Sequence, residues 1–210
     1  MKNILLMLLL IFGKSLFAQK FTKAEKQLIY KGNVNEKMYV IQTDNDAQLE
    51  ILLAQSKDID PKNKDLKILI ERMYLAVTDP VDGGVGIAAP QVGINRNVIW
   101  VQRFDKEGNP FEVYINPKIT WKSKELSKGQ EGCLSIPVLR GDVYRHHAIE
   151  IEYQDREGKK HSEKIEGFTA VIFQHEIDHL HGILFSQRID EQMLKKYLSI
   201  SNNLWLEETN

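Results

Sequence analysis

Cysteine is nearly absent from this sequence. Its 210 residues contain one, Cys133, so no intramolecular disulfide framework is available. Neither sign of charge is in excess, with 28 Lys+Arg against 29 Asp+Glu, and the chain therefore lacks the basic field that nucleic acid attracts. Six prolines and 13 glycines are too few, and 42% hydrophobic residues too many, for a collagen-like or disordered chain. Long apolar runs are missing as well. The run from Ile4 to Phe12 falls far short of the roughly 20 residues a membrane-spanning helix needs. What remains is an ordinary globular chain, long enough for one domain with a sizeable core.

The first 18 residues have a separate character. Lys2 provides a positive start, Ile4–Phe12 an apolar stretch and Ala18 a small residue at a plausible cut, the three parts of a secretory signal peptide. No cysteine follows the run, so a lipoprotein anchor is excluded; an N-terminal helix packed on the domain, or an uncleaved anchor, is the competing reading. Residues 19–36 are polar and Lys-rich and read as a loosely held arm.

Met38–Ile41 reads as a short strand. Asp60-Pro61 offers an N-cap followed by proline at the first helical position, and Leu66, Leu69, Ile70, Met73 and Val77 then recur at helical spacing. Strand candidates follow at Val98–Gln102, Phe111–Ile115 and Ala148–Gln154, with Asp155–Gly158 as a hairpin turn into a partner near Lys164–Glu166. Phe168–His181 reads as a long helix stopped by Gly182, and Glu191–Ile200 as a last amphipathic stretch. The order predicts an α+β fold, a single domain of short, mostly antiparallel strands around a central helix. The expected organisation is a leader at 1–18, an arm at 19–36, a catalytic domain at 37–192 and a partly helical tail at 193–210.

The late helix carries the chemistry. His175-Glu176-Ile177-Asp178-His179 is an HExxH motif, which sets two imidazoles one turn apart on one helix face, where they can share a metal ion. A metal there would acidify a water, and Glu176 lies close enough around the axis to take its proton. Two histidines do not complete a catalytic site. His181 is two residues beyond His179, on nearly the opposite face, and reads as solvent-facing. Asp190 and Glu191 follow without a diagnostic spacing, whereas Cys133 lies upstream in Glu131-Gly132-Cys133-Leu134-Ser135. A Cys–His–His set suits a metal with one open position; a cysteine nucleophile paired with a histidine is the alternative. A third feature, the Gly-rich run Gly83–Gly93, has neither the Lys-Ser/Thr nor the GxGxxG spacing of a nucleotide loop. It reads as a tight turn with Gln91 pointing into a site.

Together and in this order, GVGIAAPQVG, EGCLS and QHEIDHLHG resemble the three signature motifs of the peptide deformylase family. The resemblance runs from about Met38 to Asp190 and includes Ile115-Asn116-Pro117. It implies that Cys133, His175 and His179 bind the metal, that Glu176 is the general acid/base, and that Gln91 and the backbone N–H of Leu134 donate to the developing oxyanion. It further implies that Val85 and Gly86 line the peptide channel, that Val171 and Ile172 shape the methionine pocket, and that Glu131 pairs with Arg145.

The implied reaction is hydrolysis of an N-formylmethionyl peptide, or of a nascent chain's formylated N-terminus, with release of formate. Fe(II) is the metal the family implies, with zinc, nickel or cobalt as alternatives. No nucleic-acid partner is expected, and no stable transmembrane segment once a leader is removed. Ile87 stands where leucine is commoner, and Ser186-Gln187-Arg188 where an acid is more usual. The apparent leader departs further: it points to export or the periplasm, whereas the family default is cytoplasmic. The competing functions are a zincin-type HExxH metalloprotease and an inactive formyl-peptide-binding homologue.

Overall fold

The computed structural model describes residues 20–195. Three short helices come first, α1 at Lys23–Ile29, α2 at Asp46–Leu52 and α3 at Leu66–Val77. Strand β1 (Gly86–Ala88) then runs into a 3-10 turn at Ala89–Val92, followed by β2 (Val98–Gln102), β3 (Phe111–Lys122), β4 (Leu126–Cys133), β5 (Ile136–His146), β6 (Ala148–Gln154) and β7 (Lys160–Glu166). Helix α4, Gly167–Leu180, comes last among these, and residues 185–195 are also helical. The strands form a five-stranded sheet in the order β1-β2-β3-β6-β7 and a separate β4–β5 ribbon, all pairs antiparallel.

The α+β expectation therefore holds, with strands preceding the HExxH-bearing helix. The apolar face of α4 packs on β2, β3 and β6 through Ile99, Val101, Tyr114, Ile149 and Ile151. A second cluster joins α1 and α3 to β1 and β2, and a third gathers Cys133, Ile136, Val143, Leu52, Leu184 and Phe185 around the ribbon. The metal-binding candidates lie where these clusters meet.

Four expectations need correction. The arm at 19–36 is not loosely held: α1 opens with a reciprocal Thr22–Glu25 capping box, and Ile29 and Phe21 are buried. Met38–Ile41 forms no strand, because its backbone bonds single partners rather than a ladder. Asp60-Pro61 does not start α3. Asn63 accepts from the Asp65 N–H at 3.0 Å and closes a turn first, so the helix begins at Leu66. The ribbon β4–β5, absent from the expected elements, carries Cys133. The leader at 1–18 and the end of the 191–200 stretch lie outside the described residues.

Candidate metal centre

Helix α4 supplies most of the site. Ala170, Phe173, Ile177 and Leu180 recur every three or four residues and are buried against the sheet, so His175 and His179 fall on the opposite face. The helix ends in a Schellman motif: the N–H groups of Gly182 and Ile183 donate to the carbonyls of His179 and Asp178 at 3.1 and 2.9 Å. Gly182 has φ 69°, and a Cβ there would run into the Leu53 carbonyl, so glycine is required. His181 is exposed, as expected.

Cys133 comes from the end of β4, just before the two-residue turn Leu134-Ser135. The β4–β5 register shifts between Glu131 and Cys133, an irregularity that re-aims the chain at this point. The Cys133 Sγ lies 3.2 Å from His179 Nε2, and one ligand atom from each of Cys133, His175 and His179 falls within 4.8 Å of the others. Glu131 accepts from His175 Nδ1 at 2.8 Å and takes both arms of Arg145 at 2.7 and 2.9 Å, so the expected Glu131–Arg145 pair forms.

Gln91 is held with its amide toward the thiol. Its Oε1 accepts from the Ala88 N–H at 2.8 Å, and its Nε2 reaches Cys133 Sγ at 3.5 Å and Ser135 Oγ at 3.4 Å. Residues 41–43, at and just beyond the end of the expected Met38–Ile41 strand, fix Gln91 and the Leu134-Ser135 turn. The Ile41 N–H donates to the Gln91 carbonyl, Gln42 Nε2 to the Leu134 carbonyl and the Thr43 N–H to the Ser135 carbonyl, each at about 3 Å. A cleft of about 280 Å³ is bounded by Val85, Gly86, Gln91, Cys133, Leu134, Val171, Ile172, His175 and Glu176. The structure thus gathers nine of the ten residues singled out around one cleft, with His179 directly beneath. A Cβ on Gly86 would lie 2.5 Å from Glu176 Oε1, so glycine leaves that carboxylate its space.

Burial alone would push the Cys133 thiol up, but the His179 and His175 imidazoles outweigh it and hold the group well below its ordinary range. Burial would likewise push His175 down, yet its contacts with Cys133 and Glu131 hold it up, to about 10. The result is a thiolate beside a His175 ring that holds its proton, and a cation bound here would take that proton's place. Glu176 is pushed up to about 7 by burial, and its Oε2 is buried without a hydrogen-bond partner among the described residues. A thiolate, two imidazoles, an open side on the cleft and an unsatisfied carboxylate oxygen fit one divalent cation in a catalytic setting.

Among the described residues no acid downstream of α4 joins the set, since Glu191 turns to Arg188 at 3.2 Å and Asp190 is exposed. Phe168 and Arg140 also line the cleft but were not singled out in the sequence. Phe168 precedes His175 by two turns on the same helix face, a spacing that could have found it. Arg140 is brought in by the hairpin, where its guanidinium lies over Gly132.

The model of the family described as polypeptide deformylase matches residues 38–195. A peptide deformylase from Synechocystis sp. is 41% identical over 135 residues, covering 64% of this chain and 69% of the relative. One from Borreliella burgdorferi is 40% identical over 151 residues, covering 71% and 87%. Among solved structures, the Met-Ala-Ser-bound class I type b peptide deformylase from Acinetobacter baumannii superposes with a TM-score of 0.64 at 34% identity, over 72% of this chain and 99% of that one.

Proposed function

This chain belongs to the polypeptide deformylase family and removes the N-formyl group from formylated peptides, and we propose a division of that chemistry among the residues of the α4 cleft. Cys133, His175 and His179 hold one divalent cation, Fe(II) by family resemblance, with zinc, nickel and cobalt also compatible with a sulfur–nitrogen set. When bound, the cation supplies Lewis acidity that acidifies water and polarises the formyl carbonyl.

Glu176 takes the proton that water releases as the new C–O bond forms. It returns that proton to the amine nitrogen as the C–N bond breaks, giving formate and a free α-amine. A carboxyl raised toward neutrality by burial suits both transfers. Gln91 Nε2 and the Leu134 N–H donate to the formyl oxygen as charge gathers on it. Val85, just before β1, and Gly86 line the channel where β1, the edge strand of the sheet, lets the peptide backbone pair as an added strand. Val171 and Ile172, one turn before the histidines, line the pocket for the methionine side chain.

The observation that carries this reading is the convergence of the three ligand atoms within 4.8 Å beside a buried, unpartnered Glu176 oxygen. Its test is formate release from formyl-Met-Ala-Ser after anaerobic loading with Fe(II) or nickel. Glu176→Ala is expected to lower kcat by about 10²–10⁴ with metal content unchanged; no release by the fully metallated wild type rejects the reading.

We also propose that residues 1–18 are a cleaved leader and that the enzyme acts on formylated peptides outside the cytoplasm. Among the described residues no helix is long and apolar enough to cross a membrane. The Lys20 carbonyl accepts from Arg96 at 2.8 Å and Phe21 is buried, so cleavage after Ala18 keeps both of these anchors. Mass spectrometry of the cell-derived protein is expected to find Gln19 as the first residue; an intact Met1 would refute export by cleavage.

A further inference from the structure

Four charged side chains outside the ligand set form one hydrogen-bonded line from the C-terminal helical segment to the metal centre. Arg188 donates through Nε and Nη2 to the two carboxylate oxygens of Asp178, at 2.9 and 2.6 Å. Asp178 also accepts from Arg145 Nη1, and Arg145 forks onto both oxygens of Glu131. Glu131 finally accepts from His175 Nδ1. Charge alternates along the line, and burial deepens toward the metal: the side chain of Arg188 is 27% exposed, Asp178 11%, and Arg145 and Glu131 6% each.

We propose that Arg188 is a positioning residue for the metal centre, fixing through Asp178, Arg145 and Glu131 the direction in which His175 presents Nε2. The proposal rests on the reading of Cys133, His175 and His179 as ligands. Forked guanidinium–carboxylate pairs set orientation as well as charge, because two parallel bonds leave the groups no freedom to swivel. Without Arg188, Oδ1 of the nearly buried Asp178 loses its partner, and Arg145 alone must serve two carboxylates. Arg145 can then satisfy Asp178 only by leaving the fork that keeps Glu131 under His175. Outer partners of metal-bound histidines set ring orientation in this way. His175 depends on such support, whereas Nδ1 of His179 has no hydrogen-bond partner among the described residues.

Arg188 is itself held in place. Gln187 Oε1 reaches back to the Leu184 N–H at 2.7 Å and caps the start of the segment. Gln192 brackets Tyr144 on β5 through two backbone bonds of 3.2 Å. The Ser186-Gln187-Arg188 departure from the family pattern thus becomes intelligible: Gln187 caps, and Arg188 reaches inward.

The test is Co(II) affinity of the metal-free protein, measured by competition with a chelator, together with the visible Co(II) spectrum and the kcat–KM split on a formyl peptide. Arg188→Met, which keeps the stem and removes the fork, is expected to weaken Co(II) binding about tenfold and to shift the spectrum, with KM within about twofold of wild type. Arg188→Lys should recover part of the affinity. Wild-type affinity and spectrum in Arg188→Met, whatever its thermal stability, overturns the proposal. If that variant does not fold, Asp178→Asn is read by the same measurements and the same outcomes decide. A wild-type chain that binds Co(II) yet releases no formate overturns the proposed function and not this role; one that binds no Co(II) overturns both.

Discussion

At the scale of single residues, the site depends on groups held against their solution preferences. Glu131 shows how strongly. Burial would raise its pKa, but the Arg145 fork and His175 outweigh that and hold it at about 2, against an ordinary 4.5. A carboxylate whose folded pKa is depressed contributes stability that is fully present above its unfolded value and lost as pH falls toward the folded one. Between these limits Glu131 should remove about 1.4 kcal/mol of stability per pH unit. His175 adds nothing to the slope there, being protonated folded and unfolded alike, since its folded value of about 10 lies far above the window. Urea unfolding of the metal-free protein from pH 6 down to 3 should therefore show a stability gap between wild type and Glu131→Gln that narrows below pH 4.5. Parallel curves would mean that the ion pair contributes nothing to folding.

At the scale of elements, legibility followed how local each signal was. Helix α4 could be read because Ala170, Phe173, Ile177 and Leu180 keep helical period and Gly182 ends it with a left-handed residue. Strands β2 and β6 matched their expected spans, as short alternating runs bounded by turns do. Ribbon β4–β5 escaped notice because it is mostly exposed: Lys128, Gly129 and Gln130 look like loop, and only pairing with Val143, Asp142 and Tyr144 makes them strand. Helix α1 was hidden by its lysines, its apolar anchors being Leu28 and Ile29, with Phe21 just ahead of it. The three family motifs made the ligands, Gln91 and Glu176 legible in sequence order. The Asp178–Arg188 pair and the Ile41–Thr43 bridge were not, since neither follows a period; both exist only once α4, the 3-10 turn and the ribbon have been brought together.

At the scale of the whole molecule, the two ends of the described chain brace the cleft from different sides. Residues 185–195 lie against β5 and reach the metal centre through Arg188, while the N-terminal segment binds α3 and the loop before β2. That N-terminal brace supplies hydrogen-bond partners to two buried cations. Arg96 takes the Glu25 carboxylate and the Lys20 carbonyl, and Arg72 donates to the carbonyls of Ile29, Lys31 and Glu36. Removing residues 1–31 would strip Arg96 of both partners, leave Arg72 only the Glu36 carbonyl, and take Phe21, Leu28 and Ile29 out of the cluster that holds Met38, Met73 and Val92. Each apolar side chain lost contributes about 2 kcal/mol, and each orphaned buried charge costs more. At about 3 °C per kcal/mol for a chain of this size, deleting residues 1–31 should lower Tm by more than about 10 °C. Deleting only 1–18, the proposed leader, keeps the Lys20 and Phe21 anchors and should leave Tm within about 2 °C. Calorimetry on the two truncations separates the outcomes: equal Tm values would show that the brace is ornamental, and an equal loss in both would show that the leader itself is part of the folded domain.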